Sequence, residues 1–442
     1  MLRSFEHPWA PSCKPPKTLL TNASLVDVQQ AKIVERASIV LEDGRVKQIL
    51  PSSQAFQREE YARVVDLEGK YVCPGLVDCH VHVTATPGSL QLDALYEKSN
   101  STIVLRASFV LAKMLLRGFT TVRDTGGCDA GIRSAVTEGL IAGPRLVIAG
   151  QALSQTGGHA DFRQPYHGNA HKCCGDLPGI GRVCDGVPGC LEAARDELRK
   201  GADFLKIMCG GGLATLTDPL HMVQFTPEEI RAITTTASYS DTYVTAHAYT
   251  NASIRHAVDN GVQAIEHANF IDKETAEYCV GKGVIFTPTM VTYHSWTVPP
   301  FNQALSEASR MKLNEILLLG KQSLSVLQKA NAVICYGSDL MAGAHDQQND
   351  GLRLHAEVLS PAEVLQSATI NGAKLLRMEG QIGVIAPEAY ADLLILSKNP
   401  LEHTQALYED SSRLCIMKEG RVAYSKVDGL PVDQLYGSIQ DK

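Results

Sequence analysis

Val72-Cys73-Pro74-Gly75-Leu76-Val77-Asp78-Cys79-His80-Val81-His82 is the stretch on which the reading of this chain turns. Strand side chains alternate with period two, so an extended His-x-His presents both imidazoles on one face. Two neutral imidazoles side by side make half of a transition-metal site. Taken alone, such a pair more often marks two ordinary histidines. Four more candidates follow at the ends of apolar runs. They are Lys206 in Asp203-Phe204-Leu205-Lys206-Ile207-Met208, His247 in Val244-Thr245-Ala246-His247-Ala248, His267 in Ile265-Glu266-His267, and Asp339 in Tyr336-Gly337-Ser338-Asp339. Coincidence is a poor explanation for six such groups in this order.

Working outward, eight apolar strand-like runs lie near residues 75–82, 119–124, 144–150, 202–208, 243–248, 264–268, 284–289 and 332–339. Helical patterns separate them, among them Ser101–Arg117, Leu191–Lys200, Pro227–Ser238 and Leu305–Lys329. Thr226-Pro227-Glu228-Glu229 is a helix start, with threonine as cap, proline in the first position and acids in the first turn. This alternation predicts an α/β chain folded as a (β/α)8 TIM barrel, whose chemistry sits at the C-terminal ends of its strands. Every candidate above falls at or near such an end. Before and after the alternating segment come short strands and turns, as in Ala37-Ser38-Ile39-Val40-Leu41 and Ala391-Asp392-Leu393-Leu394-Ile395-Leu396. They predict a small β-sandwich domain formed by both chain ends. The expected layout is a tail over 1–17, sandwich parts over 18–72 and 379–430, the barrel over 73–378, and a tail over 431–442.

The chain has 442 residues, 44% hydrophobic and 20% charged, with a net charge of −7. That composition suits a globular protein and leaves no basic footprint for nucleic acid. An apolar run of membrane-spanning length is not seen, and the N-terminal residues lack a signal-peptide core. Twelve cysteines in a chain of this kind read as reduced thiols, and a cytoplasmic location is expected. His167, His171, Cys173, Cys174, Cys184 and Cys190 resemble a zinc tract, but the paired C-x2–4-C spacing is missing, so an ordinary loop over the site mouth is expected. Arg123-Asp124 reads as a structural tie between barrel layers.

Lysine is the odd member of the candidate set, because an ammonium has no lone pair for a metal. Reaction of Lys206 with carbon dioxide would give a carbamate whose two oxygens can bridge two cations. His80, His82 and Asp339 would then surround one ion and His247 and His267 the other, with Lys206 shared. Two divalent ions about 3.5–4 Å apart hold a bridging water and supply hydroxide near neutral pH. Zinc is the expected metal.

The Pro74–His82 run, Lys206, His247, His267 and Asp339 together resemble the amidohydrolase superfamily and its binuclear ligand set. Gly380-Gln381-Ile382-Gly383-Val384-Ile385-Ala386-Pro387 is similar to that family's return into its sandwich. Gly157-Gly158-His159-Ala160-Asp161, Thr217-Asp218-Pro219-Leu220, His247-Ala248-Tyr249-Thr250 and Pro288-Thr289-Met290-Val291-Thr292-Tyr293 narrow the resemblance. They look like the imidazolonepropionase-like subgroup of Xaa-Pro and Xaa-Arg dipeptidases and ochratoxinase. Cys209 and a third glycine in Met208-Cys209-Gly210-Gly211-Gly212 depart from that pattern and are expected to carry no mechanistic consequence.

The resemblance implies a metal-dependent hydrolase that cuts the amide next to a C-terminal amino acid, using hydroxide held between two ions. Asp339 is expected to act as base and then acid, with Tyr249 donating to the oxyanion. His159, Tyr249 and Arg255 are expected to hold the substrate carboxylate. A dipeptide-like small molecule is the expected partner, in a homo-oligomer. The alternative is opening of a cyclic amide of imidazolone type. A mononuclear deaminase would lack Lys206, and a scaffold relative would lack ligands.

Overall fold

The computed structural model describes residues 14–51, 53–88, 98–163, 179–215, 218–303 and 307–439, together with positions 9 and 305. His167, His171, Cys173 and Cys174 of the suspected zinc tract lie outside the described residues. Cys184 and Cys190 are buried, with their sulfurs 3.9 Å apart. The nine described cysteines are all buried and unpaired, as small apolar side chains would be. Among the described residues, no helix is long and apolar enough to cross a membrane.

Both chain ends contribute to one eight-stranded sheet. Its junction pairs Tyr71–Pro74 antiparallel with Leu393–Leu396, Pro74 opposite Leu393. The small β domain expected of both chain ends is present, its strands joined in one connected sheet. The reason is the ten-residue strand Thr18–Asp27, which is long enough to carry two parallel partners in succession. Arg63–Asp66 pairs along its first half and Tyr71–Pro74 near its end. Alternating residues such as Leu20, Ile39, Leu41, Val72, Leu393 and Met417 fill an apolar core of its own.

All eight predicted parallel runs become strands, in two parallel sheets. One holds Leu76–Val81, Phe119–Asp124 and Arg145–Ile148. The other runs from Gly181–Val183 and Ala152–Ser154 through Leu205–Met208, Val244–Thr250, Ala264–Phe270 and Ile285–Thr287 to Val333–Ile334. Ala152–Ser154 and Gly181–Val183 went unpredicted because three residues are too short to show a period. Backbone bonds connect the two sheets on both sides: Asp203 N donates to Ile148 O, and Cys79 N donates to Tyr336 O at 2.8 Å. Beyond the last strand, Asp339 N donates to His80 O, seating the loop against the first.

Helices cover these strands much as patterned. Pro227–Tyr239 starts at the predicted Thr226 cap, where Thr226 and Glu229 exchange side-chain-to-backbone bonds as a capping box. Asn100–Leu116 starts at a Ser99 cap, and Glu307–Lys329 spans 23 residues. Strands such as Leu76–Val81 and Phe119–Asp124 are buried along their whole length, which is why they read as near-continuous apolar runs.

Candidate metal centre

His80 lies near the end of Leu76–Val81 and His82 one residue past it. Each has its Nδ1 occupied: His80 by Glu266 Oε2 at 2.7 Å, His82 by the Gly126 carbonyl at 2.8 Å. Both partners can only accept, so each Nδ1 carries a proton and each Nε2 is left to face the cluster. The two Nε2 atoms converge on one oxygen, lying 3.4 and 3.3 Å from Asp339 Oδ1. The donor atoms of His80, His82 and Asp339 all fall within 4.8 Å of one another. A carboxylate and two oriented imidazoles with Nε2 aimed at a common point form a donor set suited to a divalent cation.

Two more imidazoles extend the cluster. The His267 ring lies 5.1 Å from that of His80 and 4.5 Å from that of His247, and its Nδ1 is 2.6 Å from Thr289 Oγ1. His247 Nε2 donates to Gly211 O at 3.1 Å, which leaves its Nδ1 available. Period two would send Glu266 and His267 to opposite faces, yet both touch His80. A break in the strand resolves this: His267 and Ala268 take φ of 73° and 51°, and the pairing with Val244–Thr250 shifts register there.

Lys206 is buried, and its amine makes no hydrogen bond or ion pair with a described residue. Burial lowers its pKa to about 8, with Arg123 pushing the same way and Glu266 and Asp339 opposing. Burial also works against the charge of Asp339, but His80, His82 and His267 hold its carboxyl well below the usual range. His247 and His267 are both kept neutral, chiefly by burial. Neutral imidazoles, an ionised carboxylate and an unpartnered amine are the states that metal ligation and carbamate formation require.

The family model described as the amidohydrolase family matches residues 71–423. This chain is an amidohydrolase. It is therefore a hydrolase acting on C–N bonds. Ochratoxinase of Aspergillus niger is 26% identical over 424 residues, covering 92% of this chain and 86% of that enzyme. A solved amidohydrolase superposes with a TM-score of 0.89 at 39% identity, covering 93% of this chain and all of that one. A prolidase solved with N-methylphosphonate-L-proline gives 0.87 at 37% identity, covering 92% and 98%.

Around the centre of this amidohydrolase, His159 stacks on His247 with ring centres 4.1 Å apart. Its Nδ1 lies 2.9 Å from Asp218 Oδ2 and from Thr215 Oγ1. A Cβ on Gly212 would meet His159 Cε1 at 2.1 Å. Glycine there gives the imidazole its place. Tyr249 is buried beside His247 and His267, its hydroxyl 2.9 Å from that of Tyr293. Burial raises its pKa, so the phenol stays protonated.

Arg255 is the correction. The structure turns it away from the cluster: Nη2 donates to Glu274 at 2.9 Å, Nε to Thr275, and the guanidinium sits over Tyr278. Helix Asn251–Asp259 buries Ser253, Ile254, Ala257 and Val258, which leaves Arg255 on the flank against helix Lys273–Gly281.

Sequence reasoning passed over Glu266 as a functional residue. Fully buried, it receives Arg123 Nη2 and Thr245 Oγ1 and orients His80. Burial opposes its charge, but Arg123 and His80 hold it well below the usual range. Its position inside a strand, next to a histidine, was a usable signal: a carboxylate is rarely buried without a partner. Arg123 also donates to Cys79 O, as a tie between strands. Glu266→Gln leaves the Arg123 charge uncompensated in the interior and should cost about 3–5 kcal/mol. Urea unfolding of the metal-stripped protein measures this; an unchanged midpoint would mean that the pair adds nothing to folding.

Proposed function

We propose that this amidohydrolase cuts the amide bond next to a C-terminal amino acid with a free carboxylate, as a dipeptidase, carboxypeptidase or ochratoxinase would. The observation that carries the reading is the convergence of the His80 and His82 Nε2 atoms on Asp339, with both Nδ1 atoms already held. In our reading the two parallel sheets are arcs of one (β/α)8 barrel over 73–378. Segments 18–72 and 379–430 make its companion domain, and the candidate groups ring the barrel's C-terminal mouth. The prolidase solved with a proline phosphonate and a Xaa-Pro dipeptidase structure at 26% identity support a substrate ending in a free amino acid.

His80, His82 and Asp339 would hold one divalent ion and His247 and His267 a second, with a carboxylated Lys206 shared between them; zinc suits this donor set. Bound ions would polarise the carbonyl and make hydroxide accessible near neutral pH. Asp339, kept anionic by its imidazole neighbours, takes a proton and returns it to the leaving nitrogen. Tyr249, held protonated by burial, donates to the developing oxyanion. His159, braced by Asp218, receives the substrate carboxylate together with Tyr249. Arg255 has no part in this clamp.

A panel of N-acyl amino acids and Xaa-Pro, Xaa-Arg and Xaa-Phe dipeptides tests the reading, each substrate paired with its C-terminal amide. Charge-assisted hydrogen bonds contribute about 1.5–3 kcal/mol each, so amidation should lower kcat/KM by about 10- to 150-fold. Equal hydrolysis of acids and amides would reject the clamp and favour the cyclic-amide reading. That alternative has its own relative, the imidazolonepropionase of Hahella chejuensis, 22% identical over 408 residues.

A further inference from the structure

Lys312 belongs to helix Glu307–Lys329 and lies 100 residues from Gly212, yet its ammonium reaches the backbone beside His159. An ammonium has three N–H donors, and here each meets a backbone carbonyl. They are Gly212 O at 2.8 Å, Thr215 O at 2.9 Å and Asp218 O at 2.8 Å. All three of these residues are buried, so their carbonyls need partners from within the protein. With its three donors committed, Lys312 acts through this backbone and not on a substrate.

The same residues fix His159. Asp218 is fully buried; its Oδ2 accepts from Gly212 N at 2.9 Å and holds His159 Nδ1 at 2.9 Å. Thr215 Oγ1 donates to Asp218 Oδ1 and lies 2.9 Å from that Nδ1 as a second acceptor. With Nδ1 occupied, His159 has Nε2 to offer. Lys312 Nζ lies 3.8 Å from Asp218 Oδ1, and among the described residues it is the permanent cation paired with this carboxylate. Burial works against the Asp218 charge, but His159, Thr215 and Lys312 hold its carboxyl below the usual range. One turn on, Leu313 and Ile316 of the same helix share an apolar cluster with Leu213 and Tyr249.

We propose that Lys312 is a positioning residue for the carboxylate clamp: it anchors the Gly212, Thr215 and Asp218 carbonyls and so sets where His159 Nε2 meets the substrate. This role rests on the proposed clamp of His159 and Tyr249. Without the ammonium, three buried carbonyls lose their donor, and reaching water requires the backbone to move. Gly212 packs against the His159 ring too closely to move without it. A misplacement of about 1 Å in a positioning group can cost about 100-fold.

The test compares acid substrates with their C-terminal amides on metal-loaded, full-length protein. Lys312→Met should cut the acid-to-amide ratio of kcat/KM by about 10-fold, the worth of one charge-assisted contact. The loss should fall on KM for the acid, with kcat within about 3-fold. A merely structural loss lowers the active fraction, and with it acid and amide rates together, so the ratio would not move. In a His159→Leu background Lys312→Met should change the ratio by less than about 2-fold, because both substitutions act on one contact. Lys312→Gln, neutral but still a donor of N–H, is the second variant if Lys312→Met does not fold, with the same fall expected. A wild-type ratio in either folded variant, or the full loss repeated in the His159→Leu background, would overturn the role of Lys312 and leave the clamp standing. A wild type that does not distinguish acid from amide would remove the clamp itself, and this role with it.

Discussion

Lys206→Ala is expected to lose divalent metal and hydrolytic activity together. Lys206 occupies the second position of strand Leu205–Met208, opposite Thr245, and sits in a buried environment that disfavours its charge. With a pKa of about 8, about one amine in ten is unprotonated at pH 7, against about one in 3,000 for an ordinary lysine. Only the free amine can add carbon dioxide, so burial prepares this side chain for carbamate formation. On that proposal alanine would remove the shared anion and leave His80, His82 and Asp339 facing His247 and His267 across a gap. Affinity for the second ion should fall by at least about 100-fold, the upper range seen even for groups one step removed from a metal. Metal content by plasma emission spectroscopy should drop from about two equivalents, the number expected of a paired site. Short carboxylic acids such as propionate should restore part of both metal and rate by standing in for the carbamate. Full metal and full activity in the untreated variant would end the carbamate proposal.

Asp339→Asn separates ligand from base. Asp339 sits in the left-handed region with φ of 51°, which asparagine tolerates better than most residues. The substitution therefore keeps the loop, keeps one carbonyl oxygen near the His80 and His82 Nε2 atoms, and removes the proton acceptor. kcat should fall by at least about 10²-fold, while metal content changes far less. KM for dipeptide-like substrates should stay within a few-fold, because the proposed clamp of His159 and Tyr249 is untouched. A variant that loses its metal while the residual holoenzyme keeps its rate would make Asp339 a ligand alone.

These outcomes rest on features that differ in how visibly the chain announces them. The His80-Val81-His82 pair was legible because period two is a local property of extended backbone, and the cap at Thr226 because a helix start uses neighbours three residues apart. The contact of Gly212 with His159 was not legible, because the two are 53 residues apart in the chain. Arg255 was expected in the pocket from the resemblance to the dipeptidase subgroup. A helix rotates about 100° per residue, and that rotation directs the guanidinium to Glu274. Glu266 and His267 are adjacent, and nothing in their identities announces the backbone reversal that brings both to His80.

By itself the sequence determined the alternation of strands and helices, the candidate donors and the family resemblance, because all three are written in short-range patterns of residue type. Only the tertiary structure decided which donors meet and which nitrogen each histidine presents. It also decided where Arg255 points and that both chain ends share one sheet. Those outcomes depend on contacts between residues far apart in the chain, and on which of several possible partners takes each charge first.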